Sequence, residues 1–339
     1  MEPVTHALTS LALARATQKH LPRFGTAILI VSGVAVDLDY VSYFTGPGAF
    51  LRFHRAVLHS LPGILVLVSV IAGVFCWMNR RLLAKKTALP LPFIVAFTFA
   101  CLGASWHLML DLSSGEGVQL LWPFRTSSFA WNLTTNFDVW ILFFLVAGLL
   151  MPELFRLVSE EIGERGNTEG LRRGASITML LLFAYLGARG ILHRDAVDLL
   201  YSREFHGRAP VFVGAFPQHG SPFNWRGVVF TDSTIEELNF SLAPGAQFDP
   251  DRSQNHFKPQ ESPALDVGEQ TAAAKTFLKY ARFPLATVYP LDNGSRFELR
   301  DLQFKSDDTS PANIMVRVDF DHSLRIKREE FLFASSRNR

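Results

Sequence analysis

Apolar residues are not spread evenly along this chain; they gather into long runs separated by short polar loops. Leu58 to Met78 and Pro92 to Leu110 contain no Asp, Glu, Lys or Arg. Val139 to Met151 is likewise uncharged and extends into Leu154 and Phe155, while Ala175 to Ala188 runs on to Ile191 and Leu192 past Arg189. A fifth run, Phe24 to Phe44, is interrupted only by Asp37 and Asp39 near its C-terminal end. A hydrocarbon core of about 30 Å needs about 20 helical residues, and core helices of soluble proteins rarely run that far without a charge. The pattern therefore predicts about five transmembrane helices, preceded by a short helix over Val4 to Ala16. The start Met1-Glu2-Pro3 lacks a basic region, and Thr5 and His6 come early, so no cleavable signal peptide is expected.

Lys and Arg are held on the cytoplasmic side of membrane proteins. Arg15 to Arg23 includes Lys19, Asn79 to Thr87 carries Arg80, Arg81, Lys85 and Lys86, and Arg156 to Arg173 carries Arg156, Arg165, Arg172 and Arg173. Thr45 to Val57 offers only Arg52 and Arg55, and Ser113 to Phe137 only Arg125. The alternation sets the first three loops inside, the last two outside, and everything after Leu192 outside the cytoplasm.

From His193 to Arg339 the pattern changes to short alternating runs broken by prolines and charges, which predicts a soluble, strand-rich α+β domain. Val211–Phe216, Gly227–Thr231, Glu236–Leu242, Arg296–Phe304 and Ile314–Phe320 read as strands, with a turn at Asp292-Asn293-Gly294 and a helix over Ala272 to Tyr280. Asp249 to Ser262 reads as a polar loop. The division expected is 1–192 for the membrane domain and 193–339 for the soluble one.

Composition narrows the function classes. The chain has 339 residues, 48% hydrophobic and 19% charged, which excludes a disordered or fibrous protein. Its 33 basic and 31 acidic residues leave no excess of positive charge for nucleic acid. The two cysteines, Cys76 and Cys101, lie in apolar runs and support neither a disulfide framework nor a cysteine-rich zinc site.

The candidate chemistry lies where ionisable residues meet the membrane. On the topology above, Asp37 and Asp39 fall at the outer end of their segment, His54 and His59 at the outer start of the next, and His107 and Asp111 at the outer end of the third. His6 joins that level if Val4–Ala16 dips in as a hairpin. Such groups are costly near a bilayer and imply a partner; imidazole nitrogen and carboxylate oxygen suit a divalent metal, which acidifies a water toward a pKa of about 7 and so favours hydrolysis. His107 and Asp111 are four apart and share a helix face. His54 and His59, five apart, both ligate only if His54 precedes the helix. Asp37 and Asp39 cannot face the same way, so one ligates and the other bridges or orients a histidine. The alternatives are that either aspartate caps a helix or pairs with Arg52 or Arg55, and that Asp111 pairs with Arg125. The other histidines have no ligand-like spacing.

Met1-Glu2-Pro3-Val4-Thr5-His6, Asp37-Leu38-Asp39, His54-Arg55-Ala56-Val57-Leu58-His59-Ser60, His107-Leu108-Met109-Leu110-Asp111 and Leu121-Trp122-Pro123-Phe124 resemble the YdjM family, bacterial inner-membrane proteins described as LexA-regulated, membrane-bound metal-dependent hydrolases. The likeness covers about the first 150 residues, and Gln218 to Trp225 looks like the downstream domain of longer relatives. The arrangement is more distantly similar to zinc-dependent phospholipase C and the P1-type nucleases. That likeness implies His6, Asp37, His54, His59, His107 and Asp111 as metal ligands and phosphodiester hydrolysis as the reaction. Those enzymes also carry a His-x-x-x-Glu pair, which this chain lacks, so one or two ions, zinc first, are implied.

The function expected is a membrane-bound metal-dependent hydrolase of an ester or phosphodiester, with a lipid head group as substrate guess, Asp37 bridging or ligating, and Asp39 supporting or acting as the base. The alternative is a metal-stabilised membrane protein without turnover whose outer domain binds a partner. A transporter ranks below both, because Ile64–Met78 and Pro92–Ser105 offer no ionisable path across the inner half.

Overall fold

The structure is a computed structural model that describes residues 1–83, 90–161, 168–304 and 313–334. Lys85, Lys86 and Arg165, three of the basic loop residues, lie outside the described residues. The chain divides into two units: Met1–Leu38, Val57–Pro123 and Phe129–Ile191 form the first, and Asp39–Ala56, Phe124–Ser128 and Leu192–Arg339 the second.

The first unit is helical. Its elements are α1 (Pro3–Ala16), α2 (Gly25–Ala35), α4 (Leu61–Leu83), α5 (Phe93–Ser113), α6 (Val139–Glu161) and most of α7 (Thr168–Tyr201); the short α3 (Pro47–Phe53) belongs to the second unit. Local chemistry sets the helix starts. Glu2 caps α1 by accepting from the Val4 N–H, with Pro3 in the first turn. Asp138 caps α6, its Oδ1 accepting from Trp140 N at 3.0 Å and Ile141 N at 3.3 Å. Five helices, Gly25–Thr45, Leu61–Leu82, Phe93–Ser113, Val139–Ser159 and Glu169–Tyr201, are long and apolar enough to cross a membrane. Large apolar side chains on α4, α6 and α7, such as Leu65, Phe143, Leu150 and Leu180, are exposed, as lipid-facing positions are.

Two predicted spans differ in detail. Phe24–Phe44 is α-helical only to Ala35 and continues as a 3-10 helix over Val36–Thr45, so the turn carrying Asp37 is wound more tightly than an α-helix. The last span runs on to Tyr201, because Ala196 and Leu200 extend its buried face.

Small residues let the helices approach. A Cβ on Gly33 would fall 2.0 Å from Ser10 Oγ, and one on Gly103 would fall 2.6 Å from the Leu29 carbonyl, so α2 and α5 touch backbone to backbone and the Ser10 side chain of α1 seats against α2. Gly148 of α6 makes room for the Thr178 side chain of α7.

The second unit holds two antiparallel four-stranded meanders. One is β1 (Phe212–Pro217), β2 (Asn224–Phe230), β3 (Thr234–Ser241) and β4 (Gln254–Phe257) in that order; the other is β5 (Pro284–Leu291), β6 (Gly294–Asp301), β7 (Ile314–Phe320) and β8 (Ile326–Phe333). Trp225, Val229 and Leu238 of the first pack with Leu200 and Phe205. Phe297, Val316 and Val318 of the second pack on α8 (Pro263–Gln270) and α9 (Ala272–Leu278). The expected Asp292–Gly294 turn joins β5 to β6, with Gly294 at φ 139° where a Cβ would strike the Phe320 carbonyl. Within the expected polar loop Asp249–Ser262 the structure forms β4, and it adds β5, β8 and α8, none of which the pattern predicts. The three unpredicted strands are all sheet edges. β4 is polar, β5 carries Pro284 and Pro290, and β8 carries Lys327, Arg328, Glu329 and Glu330, features that protect edges and erase the alternation a buried strand shows.

Candidate metal centre

Four segments of the first unit deliver side chains to one end of the helices. His6 closes the first turn of α1, Asp37 lies just past α2, His59 in the turn before α4, and His107 and Asp111 in the last turns of α5. His6, Asp37, His107 and Asp111 offer ligand atoms that all lie within 4.8 Å of one another, a group able to hold a metal ion.

The contacts show how the rings are aimed. His107 Nδ1 lies 2.7 Å from the Gly33 carbonyl, which makes it the donor and leaves Nε2 with a free lone pair. That Nε2 lies 3.2 Å from His59 Nε2, 3.3 Å from Asp111 Oδ2 and 3.6 Å from Asp37 Oδ1. His59 Nε2 lies 3.0 Å from Asp111 Oδ2 and 3.8 Å from Asp37 Oδ1, so His59 borders the same space. His6 stacks on His107 with centroids 3.7 Å apart, and its Nε2 lies 3.2 Å from Asp111 Oδ1, which also takes the Met1 amine. His6, His59, His107 and Asp111 are all buried, and Asp37 is the partly exposed member.

This donor set fits a divalent cation. Among the described residues, Asp37 has no Lys or Arg partner, and its buried Oδ2 and His6 Nδ1 have no hydrogen-bond partner. The Nε2 atoms of His6, His59 and His107 and the carboxylates of Asp37 and Asp111 converge where Met1 brings one formal positive charge, and a further cation would balance the remaining carboxylate.

Asp39 and His54 lie in the second unit and pair with each other. Asp39 Oδ1 is 3.2 Å from His54 Nδ1, and Oδ2 accepts from the Arg55 backbone N–H at 2.9 Å, where Arg55 has φ 54°. His54 also stacks on Phe50 and meets the edge of Tyr40. Neither residue belongs to the group that could hold a metal. Of the two aspartates it is Asp37 that stands with the histidines of that group.

Sequence reasoning passed over the supports of α5. Its last carbonyls are taken up by the following loop: Leu133 and Thr134 amides donate to the Ser113 carbonyl at 2.8 and 3.0 Å, and the Trp131 amide to that of Leu112 at 2.7 Å. Arg189, buried inside α7, holds this loop by donating from Nε to the Leu133 carbonyl at 2.6 Å. An arginine inside an apolar run was the signal that could have found it.

A membrane protein of helices crossing the bilayer, with histidines and carboxylates buried together at one end of them, is the class that this fold and site define. The chain belongs to the YdjM family: the model described as YdjM inner membrane protein matches residues 1–196, which contain every residue of the centre. No curated protein and no solved structure matches.

Proposed function

We propose that this protein is a membrane-bound metal-dependent hydrolase acting on an ester or phosphodiester at the bilayer surface. The observation that carries the reading is the fixed tautomer of His107: its Nδ1 is tied to Gly33, so Nε2 faces His59, Asp37 and Asp111 as a ligand. His6, Asp37, His107 and Asp111 would hold one or two divalent ions, with His59 beside them and zinc as the first candidate from the nitrogen and oxygen donors. A bound ion would supply Lewis acidity toward an ester oxygen and acidify a water molecule. Asp37, the partly exposed member while the others are buried, would be the carboxylate open to such a water as proton acceptor. Asp39 lies against His54 Nδ1 and would orient that ring.

The basic residues Arg80, Arg81, Arg156, Arg172 and Arg173 sit at the α4 end, the α6 end and the α7 start, the helix ends opposite the centre. That supports a centre on the outer face and the second unit outside the cytoplasm of the bacterial inner membrane.

Elemental analysis of detergent-purified protein, wild type beside His107→Ala/Asp111→Ala, tests the reading, followed by hydrolysis assays on phosphodiester and lipid ester substrates. Near-stoichiometric zinc or manganese that drops in the variant, with metal-dependent turnover, is expected. Metal-free wild type, or equal metal in both proteins after mild chelation, refutes the ligand assignment. The burial of His6, His59, His107 and Asp111 favours a second reading, a closed structural site without turnover, which bound metal with no hydrolysis of any substrate would establish.

A further inference from the structure

We propose that the membrane face of α4 carries a seat for one lipid acyl chain, which makes an acyl lipid the substrate class of the centre. This rests on the hydrolase reading only for the word substrate; the seat itself is argued from its walls. Pro62, Val66 and Val70 recur every four residues and so line one helix face, and Gly63 and Leu67 line the strip beside it. Val57, Leu58 and Trp122 close the other side, giving a groove of about 390 Å³.

Its walls present no charged residue, and its floor belongs to a helix long and apolar enough to cross the membrane. Hydrocarbon is therefore what surrounds it. Apart from the Trp122 indole, a polar ligand would find no hydrogen-bonding side chain in these walls, whereas an acyl chain would fill them with matched surface. Val66 and Val70 are 65% and 57% exposed, so the groove opens sideways to lipid.

The walls are built to stay in place. The Leu61 amide donates to the Leu120 carbonyl at 2.9 Å, tying the Trp122 segment to the start of α4. A Cβ on Gly63 would fall 1.8 Å from the Val57 carbonyl, so only glycine lets the Val57–Leu58 turn lie this close to the helix. Leu58 lines the groove and the next residue, His59, borders the centre. From Pro62 to Val70 the floor descends about 12 Å along the helix axis. A chain lying in it leaves its ester end at the level of the histidines.

The test uses full-length protein in nanodiscs of phosphatidylethanolamine and phosphatidylglycerol, doped with a diacyl lipid bearing a photoreactive diazirine on one chain, with adducts mapped by mass spectrometry. Adducts on Pro62–Val70 and Trp122 should exceed those on the comparably exposed Phe143, Leu150 and Leu180 by roughly fivefold or more, the preference given by about ten extra carbon contacts that a walled groove offers over a flat lipid-facing surface. Val66→Trp/Val70→Trp, which fills the groove from lipid-facing positions, should abolish that excess while leaving α6 labelling and metal content unchanged. Labelling spread over α4, α6 and α7 in proportion to exposure, or an excess that survives the filled groove, overturns the proposal. Groove labelling in a protein that holds no metal would leave the lipid seat standing and refute the hydrolase; turnover that ignores acyl chain length would keep the hydrolase and refute the acyl lipid as its substrate class.

Discussion

Gly103→Ala is the most direct perturbation of the link between helix packing and the centre. The new methyl would fall 2.6 Å from the Leu29 carbonyl and 2.3 Å from Ser32 Oγ, against ordinary contact from 3.4 Å. The Ser32 hydroxyl can swing aside; the Leu29 carbonyl is backbone and cannot. Restoring contact requires α2 and α5 to separate by roughly 0.8 Å, at an overpacking cost of about 1–3 kcal/mol. Asp37 follows α2 while His107 and Asp111 ride on α5, and the His107 Nδ1 to Gly33 hydrogen bond of 2.7 Å spans the same seam. Metal sites tolerate distance errors of about 0.2 Å, and disturbing the groups that orient a ligand costs about 10–100-fold in affinity. The assay is competition against a chromophoric chelator in detergent, with thermal unfolding alongside. Gly73→Ala is the matched control, because a Cβ there meets nothing within 4 Å. The expected outcome is a 10–100-fold loss of affinity and a lower midpoint for Gly103→Ala, and neither for Gly73→Ala. Wild-type affinity in Gly103→Ala would refute the claim that this seam sets the geometry of the centre.

Arg189→Leu should leave the Leu133 carbonyl without its charged donor, cost about 1–3 kcal/mol, and weaken metal binding through the loop that ends α5; Arg189→Lys should restore part of the affinity in the same chelator competition. Unchanged affinity in the leucine variant would confine Arg189 to general stability. In the second unit, the Arg296 fork at 2.7 and 3.1 Å holds the Asp319 carboxyl below its ordinary value. A depressed folded-state value contributes stability above the unfolded value, lost as pH falls from about 4 through the folded value. Hydrogen exchange of β6 and β7 peptides in full-length protein should therefore rise with acid, and Asp319→Asn should remove at most about 1 kcal/mol of protection at neutral pH and flatten that rise. An Asp319→Asn protein with the wild-type acid profile would assign the pH response to other groups.

Much of the fold is legible in the amino-acid sequence alone. The uncharged runs Leu58–Met78 and Pro92–Leu110 read as membrane helices, and the helices Leu61–Leu82 and Phe93–Ser113 are long and apolar enough to cross one, because length and the cost of burying charge bear on that without reference to neighbours. Ile314–Phe320 matched its strand to the residue, since a central strand with both neighbours paired shows its burial in its pattern. β4, β5 and β8 were missed because polar residues, prolines and charges break their alternation, and such edge strands are held by their neighbours' hydrogen bonds; β1, also an edge, kept an apolar run and was legible.

The site divides along the same line. Residue type and spacing were enough to nominate His6, Asp37, His107 and Asp111 and to pair His107 with Asp111, since an i, i+4 relation is a local property of the helix. Which of Asp37 and Asp39 stands with the histidines was open, because it depends on where a 3-10 turn begins after Ala35. Only the tertiary structure could show that Gly33 fixes the His107 tautomer, that Gly103 sets the spacing between α2 and α5, and that Arg189 holds the loop beyond Asp111. Each of those joins residues more than fifty positions apart, and contacts at that separation are made by packing, which no local pattern encodes.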